Sequence, residues 1–285
     1  MRVGYFGPEG TFTHEALMAS AAVKSLELVP LPTIYDTVMA VHHGEVARAL
    51  VPIENSLEGS VNATLDALAM ETEDVAIVAE VVHPISHCLI ARTDLELSEI
   101  DAVISHPQAT AQCARFLRGR LGHAQVLVGS STAEAVRTVA EHDGSWAALG
   151  NRMAAEQYGC RILRQGVEDV PENETRFVWL GPVGCPPGIP GRTEPVIGPW
   201  KTAIVFWGLG DDGPGWLVGC MTELSAAQIN LTRIESRPRK QGLGHYMFFV
   251  DLEGRVTESD VGGALEGLRG HVEVLRILGS FPAAG

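Results

Sequence analysis

Four short segments of this 285-residue chain put hydroxyl and amide side chains where an extended run hands over to a helical one. They are Gly7-Pro8-Glu9-Gly10-Thr11-Phe12-Thr13, Val51-Pro52-Ile53-Glu54-Asn55-Ser56, Ser105-His106-Pro107-Gln108 with Gln112 one turn further, and Ser131-Thr132. A helix start offers unpaired backbone N–H groups and the positive end of a dipole. Hydroxyls and amides gathered there can hold a carboxylate without lysine or arginine. Taken singly, each Ser, Thr or Asn is more simply an N-cap. Four such segments in one unit point to an anion cleft. A fifth segment, Asn173-Glu174-Thr175-Arg176-Phe177, follows later, and its arginine has the fork geometry for a bidentate carboxylate pair.

Other chemistries have no pattern here. The ten histidines include no HxH or HExxH, so no metal site is expected. His106 adjoins Ser105, where capping or packing is the plainer role. Cys88, Cys113, Cys160, Cys185 and Cys220 are odd in number, widely spaced and without a CxxC. That usage fits a reducing cytosol better than a disulfide framework. A net charge of −14 supplies no basic surplus for phosphates, which disfavours nucleic acid as a partner. Hydrophobic residues make up 46% and charged residues 20%, an ordinary globular balance. No apolar run reaches the roughly 18 residues of a membrane span. The opening Met1-Arg2-Val3-Gly4-Tyr5-Phe6 runs into Gly7-Pro8 as a strand and turn, unlike a secretion signal.

The elements that must position these segments alternate. Strands are expected over 2–6, 26–30, 48–52, 75–83, 87–91, 102–104, 146–149 and 175–180. Helices are expected over 13–22, 33–44, 61–69, 108–121, 131 onward and 151–158, with Thr33/Asp36 and Ser131/Glu134 as cap signals. Such alternation gives an α/β sheet with helices on both faces, and ligands sit at strand C-terminal ends. Between 181 and 199 lie six prolines and four glycines beyond Gly181, a density no helix or interior strand tolerates. Beyond it the pattern becomes strand 201–208, helix 215–227, strands 231–237 and 245–251, helix 259–268 and strand 272–278. That βαββαβ order is ferredoxin-like, and sheets so small often finish their burial against a second copy.

Together the segments resemble the prephenate dehydratase family. GPEGTFT at 7–13, PIENSLEGSV at 52–61, SHPQ at 105–108, STAEA at 131–135 and TRF at 175–177 follow that family's pattern in order. NLTRIESRP at 230–238 resembles the ESRP region of its ACT domain, and DGPGWLV at 212–218 the GALV region. The resemblance spans essentially the whole chain. It implies an α/β dehydratase domain at 1–181, two-lobed like periplasmic binding proteins. Lobe one would hold 1–75 and 166–181, and lobe two 76–165. A Pro/Gly-rich linker at 182–199 and a ferredoxin-like ACT regulatory domain at 200–280 would follow.

The function implied is the decarboxylating dehydration of prephenate to phenylpyruvate, water and CO2, within L-phenylalanine biosynthesis. Aromatisation drives that reaction, so no metal or redox cofactor is expected. By the match, Thr175 contacts the departing hydroxyl, and Asn55, Ser105 and Gln112 complete the catalytic set. Glu54 is a candidate proton relay, or else orders its turn. Thr11, Phe12, Ser131, Thr132, Arg176 and Phe177 are the candidates for substrate contact. L-phenylalanine is the implied allosteric ligand, on Gly215, Trp216, Leu217 and Val218 with Glu235, Ser236, Arg237 and Pro238. A homodimer or homotetramer in the cytoplasm is implied, with no membrane partner. Trp216 departs from the family, which has a small residue there, usually Ala. A side chain that large fills the pocket, reshapes it or packs in the core. The motifs do not separate prephenate from arogenate, its amino analogue. A non-catalytic amino-acid sensor is the other alternative, against which Thr175-Arg176-Phe177 with Asn55 speaks.

Overall fold

The computed structural model describes residues 1–192, 198–211 and 213–284. Residues 193–197 of the expected linker and Asp212 of the expected effector turn lie outside them. The first part of the chain runs β1 (Arg2–Phe6), α1 (Phe12–Ser20), β2 (Glu27–Leu31), α2 (Ile34–His42), β3 (Arg48–Asn55), β4 (Gly59–Ser60), α3 (Asn62–Asp66) and β5 (Val75–Pro84). It continues through β6 (Cys88–Ala91), β7 (Ala102–Ser105), α4 (Pro107–Gln112), α5 (Ala114–Arg120), β8 (Gln125–Val128), α6 (Thr132–Glu141), β9 (Trp146–Gly150), α7 (Arg152–Gln157), β10 (Arg161–Gln165) and β11 (Glu174–Pro182). The last part is β12 (Trp200–Trp207), α8 (Trp216–Ala226), β13 (Leu231–Pro238), β14 (Tyr246–Glu253), α9 (Ser259–Arg269) and β15 (Val274–Pro282).

These strands form three sheets. The first has the order β2-β1-β3-β11-β5, with β4 on β3, and the second β10-β6-β9-β7-β8. The returning strand β11 lies antiparallel between β3 and β5, so residues far apart in sequence meet at the sheet's centre. Pro52 has no N–H for the ladder. Its place inside a sheet is tolerated because the register slips there, Arg176 facing Glu54 and Phe177 facing Pro52.

Two expectations need correction. Strand 75–84, expected to open the second lobe, pairs with β11 along its length, so the crossing between sheets falls at Ile85–His87. The expected helix 108–121 is two helices, interrupted at Cys113 (φ −112°, ψ 19°). The cause is Asp169. Its carboxylate accepts the Arg115 N–H at 2.9 Å and starts α5 anew, while its own N–H donates to Gln112 O at 2.7 Å. The short edge strands β8 and β10 escaped sequence reading, because an edge strand needs no regular apolar alternation.

The third sheet, β13-β14-β12-β15, is wholly antiparallel and carries α8 and α9 on one face. Its other face shares a core with the first sheet. Ala203, Val205, Met247, Phe249, Leu278 and Phe281 pack with Val51, Ile53, Leu65, Leu68, Ile77 and Leu180. Strand β15 packs on β5 at Gly279, where any Cβ would overlap the Ile77 carbonyl oxygen. Among the described residues no helix is long and apolar enough to cross a membrane.

Candidate active site

Strand periodicity decides what faces the space between the first two sheets. On β11, Thr175 and Phe177 point one way and Arg176 the other. On β3, Asn55 stands opposite Thr175, and Glu54 opposite Arg176. Thr175, Phe177 and Asn55 line a cavity of about 350 Å³. Helix starts close it. Thr11 caps α1, accepting the His14 N–H, and Ser131 caps α6, accepting the Glu134 N–H. His106 caps α4 through Nδ1, the plainer of its two expected roles. Phe12, Gln112, Thr132 and His87 complete the wall used below, and none of the lining residues described is Lys, Arg, Asp or Glu. The site therefore offers N–H and O–H donors and positive helix ends, with apolar side chains between them and no fixed charge.

A hydrogen-bond chain crosses this cavity, and its direction can be read. Asn55 Oδ1 accepts the backbone N–H groups of Leu57 (3.1 Å) and Glu58 (3.0 Å), so its Nδ2 must be the donor end. That Nδ2 lies 2.9 Å from Thr175 Oγ1 and 2.8 Å from Asn173 Oδ1. Asn173 Oδ1 is thus an acceptor, and Asn173 Nδ2 donates to Gln112 Oε1 at 3.2 Å. His87 Nε2 meets the same Gln112 Oε1 at 3.0 Å. Because Asn55 occupies a lone pair of Thr175, the threonine proton is left to point into the cavity.

Three expected site residues stand elsewhere. Ser105 is buried and donates its hydroxyl to Leu149 O at 2.9 Å, tying the end of β7 to β9. Arg176 and Glu54 turn to the opposite face of the first sheet, toward the third. There Arg176 donates from Nε to Glu54 (3.0 Å), from Nη1 to Glu80 (3.0 Å) and from Nη2 to Asp251 (2.7 Å). Lys201 completes Glu80 at 2.8 Å and Arg233 completes Asp251 at 3.0 Å. Burial disfavours the charge on Asp251, yet the Arg233 and Arg176 guanidiniums prevail and hold its carboxyl below the usual range. A wider depression of about 610 Å³ beside Arg92 and Arg161 contains none of the motif residues.

A profile of the prephenate dehydratase family matches residues 3–183. The chain is 41% identical to a prephenate dehydratase of Amycolatopsis methanolica, over 99% of this chain and 89% of that one. The chain belongs to the prephenate dehydratase family. Its fold is similar to a crystal structure of prephenate dehydratase from Arthrobacter aurescens in complex with L-Phe. There the TM-score is 0.87 and the identity 37%, covering 99% of this chain and 89% of that one. It is also similar to GqqA, described as a novel type of quorum quenching acylase. That TM-score is 0.84 and the identity 28%, covering 100% of this chain and 98% of that one.

For a prephenate dehydratase, sequence reading missed two buried residues of the hydrogen-bond chain that holds Thr175 and Gln112. Asn173 is buried between Asn55 and Gln112, and His87 is buried behind Gln112. Asn173 was legible in principle, since 173, 175 and 177 share one face of a strand. In the third sheet, Gly215, Trp216, Leu217 and Val218 line a small cavity of about 170 Å³ with Tyr246 and Phe248. The Trp216 indole N–H donates to His271 O at 2.7 Å, and its ring packs against Phe206 and Phe248, so it fills the wall of that cavity. Glu235, Ser236, Arg237 and Pro238 do not line it. Glu235 accepts from Ser60 at 3.1 Å and Arg237 pairs with Asp66 at 3.0 Å, joining β13 to the first sheet's lobe.

Proposed function

We propose that this enzyme carries out the decarboxylating dehydration of prephenate to phenylpyruvate, CO2 and water in L-phenylalanine biosynthesis. The observation that carries the reading is the Thr175 hydroxyl. Asn55 occupies its acceptor side, and it stands on the wall of an uncharged, donor-rich cavity. Prephenate is a dianion. As its ring carboxylate leaves as CO2, the C–C bonding pair becomes part of the aromatic ring and the C–O bond breaks. One proton is taken up to release the hydroxyl as water. Thr175 donates a hydrogen bond to the departing oxygen, where charge grows in the transition state. A threonine hydroxyl is a weak acid, so the proton itself reaches that oxygen from water through this contact. The helix starts at Thr11 and Ser131 and the Gln112 amide hold the carboxylates, while Phe12 and Phe177 keep the ring dry.

The same wall favours prephenate over arogenate. An ammonium group finds no Asp or Glu among the described lining residues, and the positive helix ends oppose it. Parallel initial-rate assays with both substrates, reading phenylpyruvate in alkali for prephenate and phenylalanine for arogenate, test this. A prephenate preference of at least about tenfold in kcat/KM, worth ~1.4 kcal/mol, is expected. Turnover of neither compound would end the reading, and equal use of both would end the preference.

Residues 1–181 form the two-lobed dehydratase unit in this reading, with the sheets meeting at the cleft. Residues 182–199 form the linker and 200–280 an ACT-type regulatory unit. The Arthrobacter relative bound to L-Phe supports phenylalanine as the effector here. A cavity of about 170 Å³ is small for a ligand site within one chain, which supports its completion by a second copy in a dimer or tetramer. Five unpaired cysteines fit a reducing, cytoplasmic location.

A further inference from the structure

We propose that His87 is a positioning residue for the dehydration, holding the Gln112 carboxamide so that its NH2 end, not its oxygen, faces the substrate. The inference rests on the function proposed above. His87 lies where the chain crosses from β5 to β6, is 2% exposed, and lines the cavity. Its main chain is clamped at both groups. The N–H donates to Glu168 Oε2 at 2.8 Å, and the carbonyl accepts from Val167 at 3.1 Å. Phe12 meets the ring edge-on, with centroids 5.3 Å apart and planes at 87°. These contacts brace the ring in its observed orientation.

That orientation aims Nε2 at Gln112 Oε1, 3.0 Å away. Gln112 Oε1 is already the acceptor for Asn173, in a chain whose direction is set by the backbone N–H groups of Leu57 and Glu58. His87 must therefore carry its proton on Nε2. Its Nδ1 is buried and has no protein partner among the described residues. Burial lowers the ring's pKa, against the opposing pull of Gln112 and Glu168, which keeps it neutral with the single proton where Gln112 needs it.

Two donors on Oε1 exclude the flipped amide, because a flip would set NH2 against NH2. Without His87, the flip is resisted only by the longer Asn173 contact at 3.2 Å and the Gln112 Nε2 contact with Glu58 at 3.4 Å. A flipped Gln112 would present a carbonyl oxygen to an anionic substrate. The same change would release Asn173 and loosen its 2.8 Å contact with Asn55, which holds Thr175.

The test is steady-state kinetics on prephenate with His87→Phe, His87→Gln and His87→Asn. His87→Phe should lower kcat/KM by roughly 10- to 100-fold, the misplaced Gln112 amide raising KM and the loosened Thr175 lowering kcat. Glutamine reaches the Nε2 position with an N–H and should restore kcat/KM to within about fivefold of wild type. Asparagine is too short and should behave like phenylalanine. Added to Gln112→Leu, His87→Phe should cost less than about twofold more, because the two act as one unit. An unchanged kcat/KM, Gln no better than Asn, or a full additional loss beside Gln112→Leu would each overturn the proposal. Should the phenylalanine variant fail to fold, the Gln and Asn pair decides alone. Wild-type protein without turnover would sink the dehydratase reading and this proposal with it. Active wild type with indifferent variants would sink only this one.

Discussion

Replacing Thr175 by valine isolates the hydroxyl, since the two side chains are nearly the same shape. The folding cost works out small. Asn55 Nδ2 has two hydrogens and three acceptors in reach, at 2.8 Å (Asn173), 2.9 Å (Thr175) and 3.0 Å (Glu174 O). Losing the middle one leaves two hydrogens for two acceptors, so no donor is stranded and the change costs about 1 kcal/mol of stability at most. The catalytic cost is larger. In the ground state the hydroxyl meets a neutral ring oxygen, a bond worth about 1 kcal/mol, or a KM rise of roughly fivefold. In the transition state that oxygen carries charge, and loss of one such donor costs ~2.7–4 kcal/mol, or about 10²–10³ in kcat. The assay is initial-rate formation of phenylpyruvate across prephenate concentrations, with circular dichroism melting to confirm the fold. Thr175→Ser, which keeps the hydroxyl, should stay within about tenfold of wild type. A valine variant whose kcat falls by less than about threefold, or whose loss lies wholly in KM, would show that the hydroxyl makes no contact special to the transition state.

Asp251→Asn should destabilise the chain by about 3–5 kcal/mol in urea unfolding, because it leaves the Arg176 and Arg233 guanidiniums buried without their shared carboxylate. Asp251 titrates below its ordinary value of 3.8 in the fold, so its stabilisation is present above that value and fades as pH drops through the lower one. The stability gap between wild type and Asp251→Asn should therefore be widest near neutrality and narrow below about pH 4, and a gap independent of pH would refute the assignment. Gly279→Ala should cost roughly 1–3 kcal/mol in thermal unfolding, since its Cβ meets the backbone oxygen of Ile77, which cannot step aside. Phenylalanine should bind with measurable heat and lower the rate of prephenate turnover. Calorimetry without heat, beside constant activity, would reject it as the effector.

Much of the site could be read from residue order, and the errors share one cause. Ser105, Glu54 and Arg176 sit inside motifs whose neighbours line the cleft, and adjacency suggests a common task. A strand gives successive side chains to opposite faces, so Thr175 and Arg176 part company at one peptide bond. Arg176 then serves the junction with the third sheet, where Glu80 and Asp251 await it. Gln112 reaches the cleft because Asp169 ends α4 beside it, a contact across more than fifty residues that no local pattern announces. Glu235 and Arg237 were legible as a motif, but their facing toward Ser60 and Asp66 depends on how β13 lies against the first lobe.

By itself the sequence determined the alternation of strands and helices, the caps at Thr11, Thr33 and Ser131, the breakers after Gly181 and the ferredoxin-like order beyond. Each of these rests on interactions within a few residues. Only the tertiary structure decided that β11 returns between β3 and β5, that Asn55 and Thr175 share a hydrogen bond, and that Asn173 and His87 stand behind Gln112. Those outcomes depend on strand register and on which groups lose water together, and both are properties of the packed chain rather than of any one segment.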